Sequence, residues 1–176
     1  ARDEAAAARL RAGVEVDGRR FRPQAFGPEQ APEADWVIVL VKAGDTAAAA
    51  AIAERMQPLG VLSLQNGLTG DLLRAHCRAP RVDQGITTEG AYREATTEGE
   101  RVQPSGAGET LLPPGFEPVA EMLMRAGLHA RVESLSGAYD VVSSRAFASL
   151  ADFFDGSRQL LADQGVWLAM KGKVPT

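Results

Sequence analysis

Trp36-Val37-Ile38-Val39-Leu40-Val41 runs apolar without a break between Asp35 and Lys42. A half-exposed strand alternates apolar and polar residues. An unbroken, β-branched run of this length suits a strand of a parallel sheet covered on both faces. The residues after it agree. Thr46 can cap the Ala-rich stretch 47–57, a strong helix former that Pro58 and Gly60 end. Val61-Leu62-Ser63-Leu64 reads as a second short strand, leading through Gln65-Asn66-Gly67 to a helix near Asp71–His76. Strand, helix, strand, helix in this order predicts right-handed βαβ units. The expected fold class is therefore α/β, an incomplete Rossmann-like doubly wound parallel sheet.

Toward the N-terminus, Asp3–Ala12 is rich in helix formers and Gly13 is a natural stop. Val14–Val16, the turn Asp17-Gly18 and Arg20–Arg22 read as a hairpin, and residues 27–34 as a loop. Toward the C-terminus, 81–112 reads as strands and turns that end in Thr110–Leu112. A helix is expected at 117–126, then a short strand at Val132, a strand at Tyr139–Ser143, an amphipathic helix at 148–162 and a last strand at Val166–Met170.

Composition narrows the function classes. Of 176 residues, 45% are hydrophobic and 24% charged, as in an ordinary globular protein, and the net charge of −4 disfavours nucleic-acid binding by bulk electrostatics. The single Cys77 forms no internal disulfide. No apolar run approaches the length of a membrane span and no signal peptide is recognisable, which points to the cytoplasm. The sequence opens Ala1-Arg2-Asp3 without an initiator Met and so reads as a fragment or a processed chain. No Gly-x-Ser-x-Gly, His-Glu-x-x-His or Cys-x-x-Cys occurs. His76 and His129 lie far apart and read as surface residues, while Phe147, Phe153, Phe154 and Trp167 read as core residues.

Three motifs carry a family resemblance: Val39-Leu40-Val41-Lys42-Ala43, Leu64-Gln65-Asn66-Gly67-Leu68, and Gly85-Ile86-Thr87-Thr88-Glu89-Gly90-Ala91. In this order and spacing they resemble ketopantoate reductase over residues 2–127. The resemblance implies an NADPH-dependent oxidoreductase that reduces 2-dehydropantoate. Ligands in such folds sit at the carboxyl ends of parallel strands, where these motifs fall. It further implies that Lys42 and Asn66 face the nicotinamide end of the cofactor, Asn66 being also near the substrate. Ala91 would touch the cofactor by its backbone, and Arg2 would meet the 2′-phosphate, which a guanidinium binds bidentately. The departures are specific. No Gly-x-Gly-x-x-Gly precedes a helix, so nothing cradles a pyrophosphate; Gly106-Ala107-Gly108 reads as a turn. Glu89 stands where the family usually has His, and no residue matches its catalytic lysine.

A second resemblance begins where the first ends. Tyr139–Leu150 and Leu168-Ala169-Met170-Lys171-Gly172-Lys173 resemble, over residues 129–173, a small-subunit rRNA guanine-N7 methyltransferase of the glucose-inhibited division B type. This implies S-adenosylmethionine as an alternative cofactor, with Val132 and Glu133 at its adenosine end and Arg145 beside the methyl donor. Lys171 and Lys173 would approach rRNA phosphates. The chain is thus expected to be chimeric: residues 1–128 a partial NADP-binding domain, residues 129–176 a partial methyltransferase segment.

Each residue also has an ordinary reading. Lys42 suits a solvated strand end, Asn66-Gly67 a plain turn, Thr87 and Thr88 strand positions, and Arg145 an ion pair with Asp140 or Asp152. Three functions remain open: a 2-dehydropantoate reductase fragment, an rRNA methyltransferase piece, or a non-catalytic fusion. With neither cofactor loop present, weak or absent binding of NADPH and S-adenosylmethionine is expected, and no catalytic residue is assigned. The flank of Trp36–Val41 would be an open apolar edge. It would be free to associate with another chain unless 139–143 or 166–170 covers it; two separate halves are the expected arrangement.

Overall fold

Asp3 opens the first helix, α1 (Glu4–Ala12), its carboxylate accepting from the Ala6 N–H at 2.7 Å. Gly13, at φ 122°, ends it. The strands β1 (Val14–Val16) and β2 (Arg19–Phe21) pair antiparallel around Asp17 and Gly18, whose positive φ values of 48° and 71° suit a tight hairpin turn. The apolar run is β3 (Trp36–Val39), and α2 (Thr46–Arg55) and β4 (Gly60–Ser63) follow it. Next come α3 (Gly70–His76), β5 (Arg81–Gln84), β6 (Ile86–Thr87), β7 (Ala91–Thr96), β8 (Gly99–Pro104), β9 (Thr110–Leu112), α4 (Glu117–Arg125) and β10 (Ala130–Val132). β11 (Tyr139–Arg145) and β12 (Leu161–Met170) complete the described elements. The computed structural model describes residues 1, 3–96, 99–134, 139–145, 151, 154 and 157–170.

β3, β4 and β5 form a parallel sheet in that order, with Trp36 opposite Gly60 and Gly60 opposite Arg81. Period-two alternation sends its side chains to two cores. One face carries Leu62, Leu64, Leu112, Phe116, Val119, Ala120 and Ala130, with Trp36 and Ile38 packed against them. The other carries Val39, Ala50, Ala53, Val61, Leu73 and Cys77. Helices thus cover both faces, as a doubly wound sheet requires. Burial of a side chain such as Leu62 or Leu73, both fully buried, contributes about 1.5–3 kcal/mol.

Two glycines set the packing. The indole of Trp36 lies across Gly60, where a Cβ would stand 2.4 Å from it, and meets the Phe116 ring at 5.5 Å between centroids. At Gly85 the chain leaves β5 for β6, and a Cβ there would stand 2.6 Å from the Leu111 carbonyl oxygen. β6 pairs antiparallel with β9, which pairs parallel with β10.

β2, β1, β8 and β7 make a separate mixed sheet. Its register sets Arg20, Glu15, Arg101 and Glu94 in one row of alternating charge, and Arg101 Nε donates to Glu15 Oε1 at 2.5 Å. Opposite charges facing across strands contribute roughly 0.2–1 kcal/mol per pair.

The chain divides into two compact units, Ala1–Glu133 and Ser134–Thr176. The second contains β11 paired parallel to β12, with Val141 opposite Val166 and Val142 opposite Trp167. Trp167 Nε1 donates to the Ser157 hydroxyl at 3.0 Å, and the Phe154 and Trp167 rings lie 5.2 Å apart.

Several expectations need correction. The run Trp36–Val41 is strand only to Val39, and the two residues beyond it are exposed, Leu40 at 67% and Val41 at 40%. The edge expected at this run is found: β3 lies at a sheet edge with β4 alone beside it among the described residues. Thr46 does not cap α2, because its hydroxyl donates to the Ala43 carbonyl at 2.8 Å. The helix expected over 148–162 does not reach its end: Arg158–Leu160 is a single 3-10 turn and β12 starts at Leu161. Leu160, Leu161 and Ala162 fit either period, and pairing with β11 decides it. The rest of that helix includes residues outside the described ones.

Candidate functional site

The carboxyl ends of β3 and β4 are joined by one buried side chain. Gln65, 7% exposed, donates from Nε2 to the Val41 carbonyl at 2.8 Å and to the Thr46 hydroxyl at 2.9 Å. Its Oε1 accepts from the Ser63 hydroxyl at 3.1 Å, and Ser63 and Thr69 share a hydrogen bond of 2.7 Å. A carboxamide has both donors and acceptors, so it can satisfy carbonyl and hydroxyl partners at once. Every bond here is buried or nearly so, which makes the network costly to break.

The loop that follows β4 is held from its other side by Gln84. Gln84 Oε1 accepts from the Thr69 and Gly70 N–H groups at 2.9 and 2.7 Å, and its Nε2 donates to the Gly67 carbonyl at 2.5 Å. Gly67 adopts φ 87°, a left-handed conformation suited to glycine. Lys42 and Asn66 are both exposed on these pinned loops. Because Gln65 bonds at Val41 and at Thr46, it fixes residues 42–45 from both ends. The structure therefore brings Lys42 and Asn66 to the same end of the parallel sheet, on loops tied to each other.

The remaining expected residues lie elsewhere. Ala91 begins β7 opposite Pro104, on the mixed sheet. Val132 belongs to β10, opposite Leu112, and packs against the first core cluster. The Glu133 N–H donates to the Leu112 carbonyl at 2.9 Å, and its carboxylate accepts from Arg131. Arg131 is also held by Glu109 at 2.7 Å; Glu109 is the largest cause, with Glu133 adding to it, of a guanidinium pKa raised above its ordinary value. Val132 and Glu133 thus sit in the compact unit of the parallel sheet. Arg145 ends β11 opposite Met170; its side chain, Arg2, Phe147, Asp152, Phe153, Lys171 and Lys173 lie outside the described residues.

Gly106-Ala107-Gly108 joins β8 to β9 and precedes no helix. A Cβ on Gly108 would stand 2.4 Å from the Glu89 nitrogen, so backbone meets backbone there. Glu89 Oε2 in turn accepts from the Gly108 N–H at 3.2 Å. On the second core face, burial pushes the Cys77 thiol pKa up, and the Arg78 N–H donating at 2.6 Å holds the Glu54 carboxyl below its usual range. Among the described residues no group of three or more His, Cys, Asp or Glu is placed to hold a metal ion.

Sequence reading singled out Lys42 and Asn66 and missed Gln65, Ser63, Thr69 and Gln84, which position them. The available signal was a cluster of uncharged polar residues directly after strands. The residues present suit one end of a dinucleotide: an exposed ammonium and an exposed carboxamide on fixed loops. The path from β3 to α2 runs through a single 3-10 turn, Ala43–Asp45, without a glycine-rich approach to the α2 N-terminus, so this turn itself cradles no pyrophosphate.

Comparison with known proteins divides the chain in two. The family model for ketopantoate reductase PanE/ApbA matches residues 1–114, and that for rRNA small subunit methyltransferase G matches residues 121–176. The ribosomal RNA small subunit methyltransferase G of Acidovorax sp. (strain JS42) is 71% identical over 49 residues, 28% of this chain and 22% of that protein. A protein of Enterococcus faecalis, described as a 2-dehydropantoate 2-reductase, superposes with a TM-score of 0.58 at 26% identity, over 74% of this chain and 47% of that one. A D-mandelate dehydrogenase solved with NADH shares the fold at a TM-score of 0.56 and 15% identity, over 73% of this chain and 44% of its own. The chain thus spans about a fifth of the curated methyltransferase and under half of these two structural neighbours.

Proposed function

The chain belongs, through its first 114 residues, to the ketopantoate reductase PanE/ApbA family, and from that premise we propose that the Gln65-pinned loops form the nicotinamide- and substrate-facing half of an NADPH-dependent 2-dehydropantoate reductase site. The observation that carries this reading is the pair of bonds from Gln65 to Val41 and Thr46, which fixes the Lys42 loop against the Asn66 loop. Fixed loops at the carboxyl ends of parallel strands are where such folds place ligands. In this reading Lys42 offers a cation to the cofactor, and Asn66 offers its amide to cofactor and substrate. Ala91 gives a backbone contact, and Arg2 meets the 2′-phosphate. In this reading the compartment is the cytoplasm. No described helix is long and apolar enough to cross a membrane.

A half-site positions but does not catalyse. Groups that act as a unit lose most of their effect when part of the unit is missing. The expected outcome is weak NADPH binding and no turnover of 2-dehydropantoate by these 176 residues alone. Calorimetric titration with NADPH tests the first. Micromolar or tighter affinity, abolished by Lys42→Ala, would overturn it, and NADPH oxidation above a no-protein control would overturn the second.

A second reading rests on the high local identity of the C-terminal segment to the methyltransferase. Val132, Glu133 and Arg145 would then derive from an S-adenosylmethionine site whose partner is rRNA. Labelled methyl transfer to small ribosomal subunits is the test, and none is expected here.

A further inference from the structure

Asn66 is the only asparagine in the sequence, and Gly67 follows it. Burial changes sharply around the pair. Leu64 and Gln65 before it and Thr69 and Gly70 after it are buried, whereas Asn66, Gly67 and Leu68 are exposed. Both flanks are anchored. Gln65 donates to the Val41 carbonyl and the Thr46 hydroxyl. Gln84 donates to the Gly67 carbonyl and accepts from the Thr69 and Gly70 N–H groups. Between these anchors, neither the Asn66 carboxamide nor the Gly67 N–H has a hydrogen-bond partner among the described residues.

An amide carbon and the next backbone nitrogen therefore stand side by side, both open to water. Glycine removes the remaining obstacle, because no Cβ shields its nitrogen. Gly67 adopts φ 87°, and a Cβ built there would meet nothing within 4 Å. All the reacting atoms belong to this one turn, so neither end of the chain enters into the chemistry.

We propose that Asn66 is a site of spontaneous covalent modification, with water as the co-reactant. The Gly67 nitrogen gives its proton to solvent and attacks Asn66 Cγ, closing a five-membered imide. The bond from Cγ to the side-chain nitrogen breaks, and that nitrogen leaves as ammonia with a proton returned by solvent. Water then opens the ring at either carbonyl, giving aspartate from one opening and isoaspartate from the other. One water enters, one ammonia leaves and no electrons change hands.

The product differs in charge and in connectivity. A carboxylate replaces a neutral amide, which makes the net charge of −4 more negative by the charge of that carboxylate. Isoaspartate also adds a methylene to the main chain between two anchored residues, Gln65 and Gly67, so the loop no longer has its original length. For ligand binding the consequence rests on the reductase reading, in which Asn66 offers a neutral amide. The conversion itself does not.

Incubating the folded full chain in warm, mildly alkaline buffer, followed by peptide mapping with mass spectrometry, tests the proposal. The tryptic peptide 56–74 should gain the mass of NH exchanged for O, and ammonia should appear in equal amount. Fragmentation should place the gain on Asn66 and not on Gln57 or Gln65. Mass is the readout because Asp17-Gly18 and Asp155-Gly156 can form the same imide by losing water and return to unchanged mass. The exposed pair should convert at no less than about a tenth of its rate in urea, which corresponds to an opening cost below about 1.4 kcal/mol. Asn66→Gln, which requires a larger ring, should suppress the gain at this position. If that variant fails to fold by circular dichroism, the comparison with urea decides. A folded chain whose Asn66 keeps its amide while the chain in urea loses it overturns the proposal. So does a mass gain located on either glutamine, or ammonia release undiminished in a folded Asn66→Gln.

Discussion

Replacing Gln65 by Leu removes the amide at the centre of the candidate site and keeps roughly its size. Three hydrogen bonds are lost: to the Val41 carbonyl, to the Thr46 hydroxyl and from the Ser63 hydroxyl. At about 1 kcal/mol net for each, the loss is about 3 kcal/mol. Two partners keep a second bond, Thr46 to Ala43 and Ser63 to Thr69, and Val41 is exposed enough for water to reach its carbonyl. The expected cost is therefore about 2–3 kcal/mol, a large fraction of the roughly 5–15 kcal/mol of a typical domain. Urea unfolding followed by Trp36 emission is the assay, and with a slope of about 1–3 kcal/mol per molar the midpoint should fall by about 1–2 M. Gln65→Glu supplies the sign. Its carboxylate would face the Val41 carbonyl, and burial would raise its pKa above the unfolded value. The destabilisation is then largest above that raised pKa and eases as pH falls. A Gln65→Leu midpoint within about 0.3 M of the parent would refute the view that this amide holds the two loops.

Gly85→Ala should destabilise by about 1–3 kcal/mol in the same urea assay, because the new methyl group meets the Leu111 carbonyl and the Leu64 side chain; an unchanged midpoint contradicts the close approach. Glu54 titrates below its ordinary value of 4.5, the Arg78 N–H being the main cause and the Cys77 thiol the next. Its folded pKa is depressed, so its contribution is full above the unfolded value and is lost as pH falls through the folded one. Stability profiles of the parent and Glu54→Gln should therefore differ at neutral pH and converge in acid; a constant gap between them refutes the assignment. Cys77 is 3% exposed and its thiol pKa is raised by burial, so iodoacetamide at pH 8 should modify it at a rate set by opening of the α2–α3 region, and much faster in urea. Equal rates in the two conditions would contradict its burial.

The elements that sequence made legible are those where one local signal has no rival. The Ala-rich run could only be helix, and the β-branched run before it could only be strand. Asp17-Gly18 allowed a hairpin and the hairpin formed. What stayed hidden depends on partners distant in sequence. The exposure of Leu40 follows from which strands flank β3, and that is a property of the whole sheet. Thr46 has the chemistry of a cap, yet the Ala43 carbonyl and Gln65 claim its hydroxyl instead. Leu160–Ala162 satisfies both periods, so pairing with β11 settles it. At the site, Lys42 and Asn66 were found through a motif, whereas Gln84 is separated from Thr69 by 15 residues and no local pattern links them.

The sequence has two tryptophans, and the fold gives one to each compact unit. Trp36 lies over Gly60 against Phe116; Trp167 bonds Ser157 in the Ser134–Thr176 unit. Each indole is therefore an optical label for its own unit. Trp36→Phe and Trp167→Phe would separate the two emission signals, and a single melting experiment on each variant would read out whether a chain joined from two families loses its structure in one transition or in two.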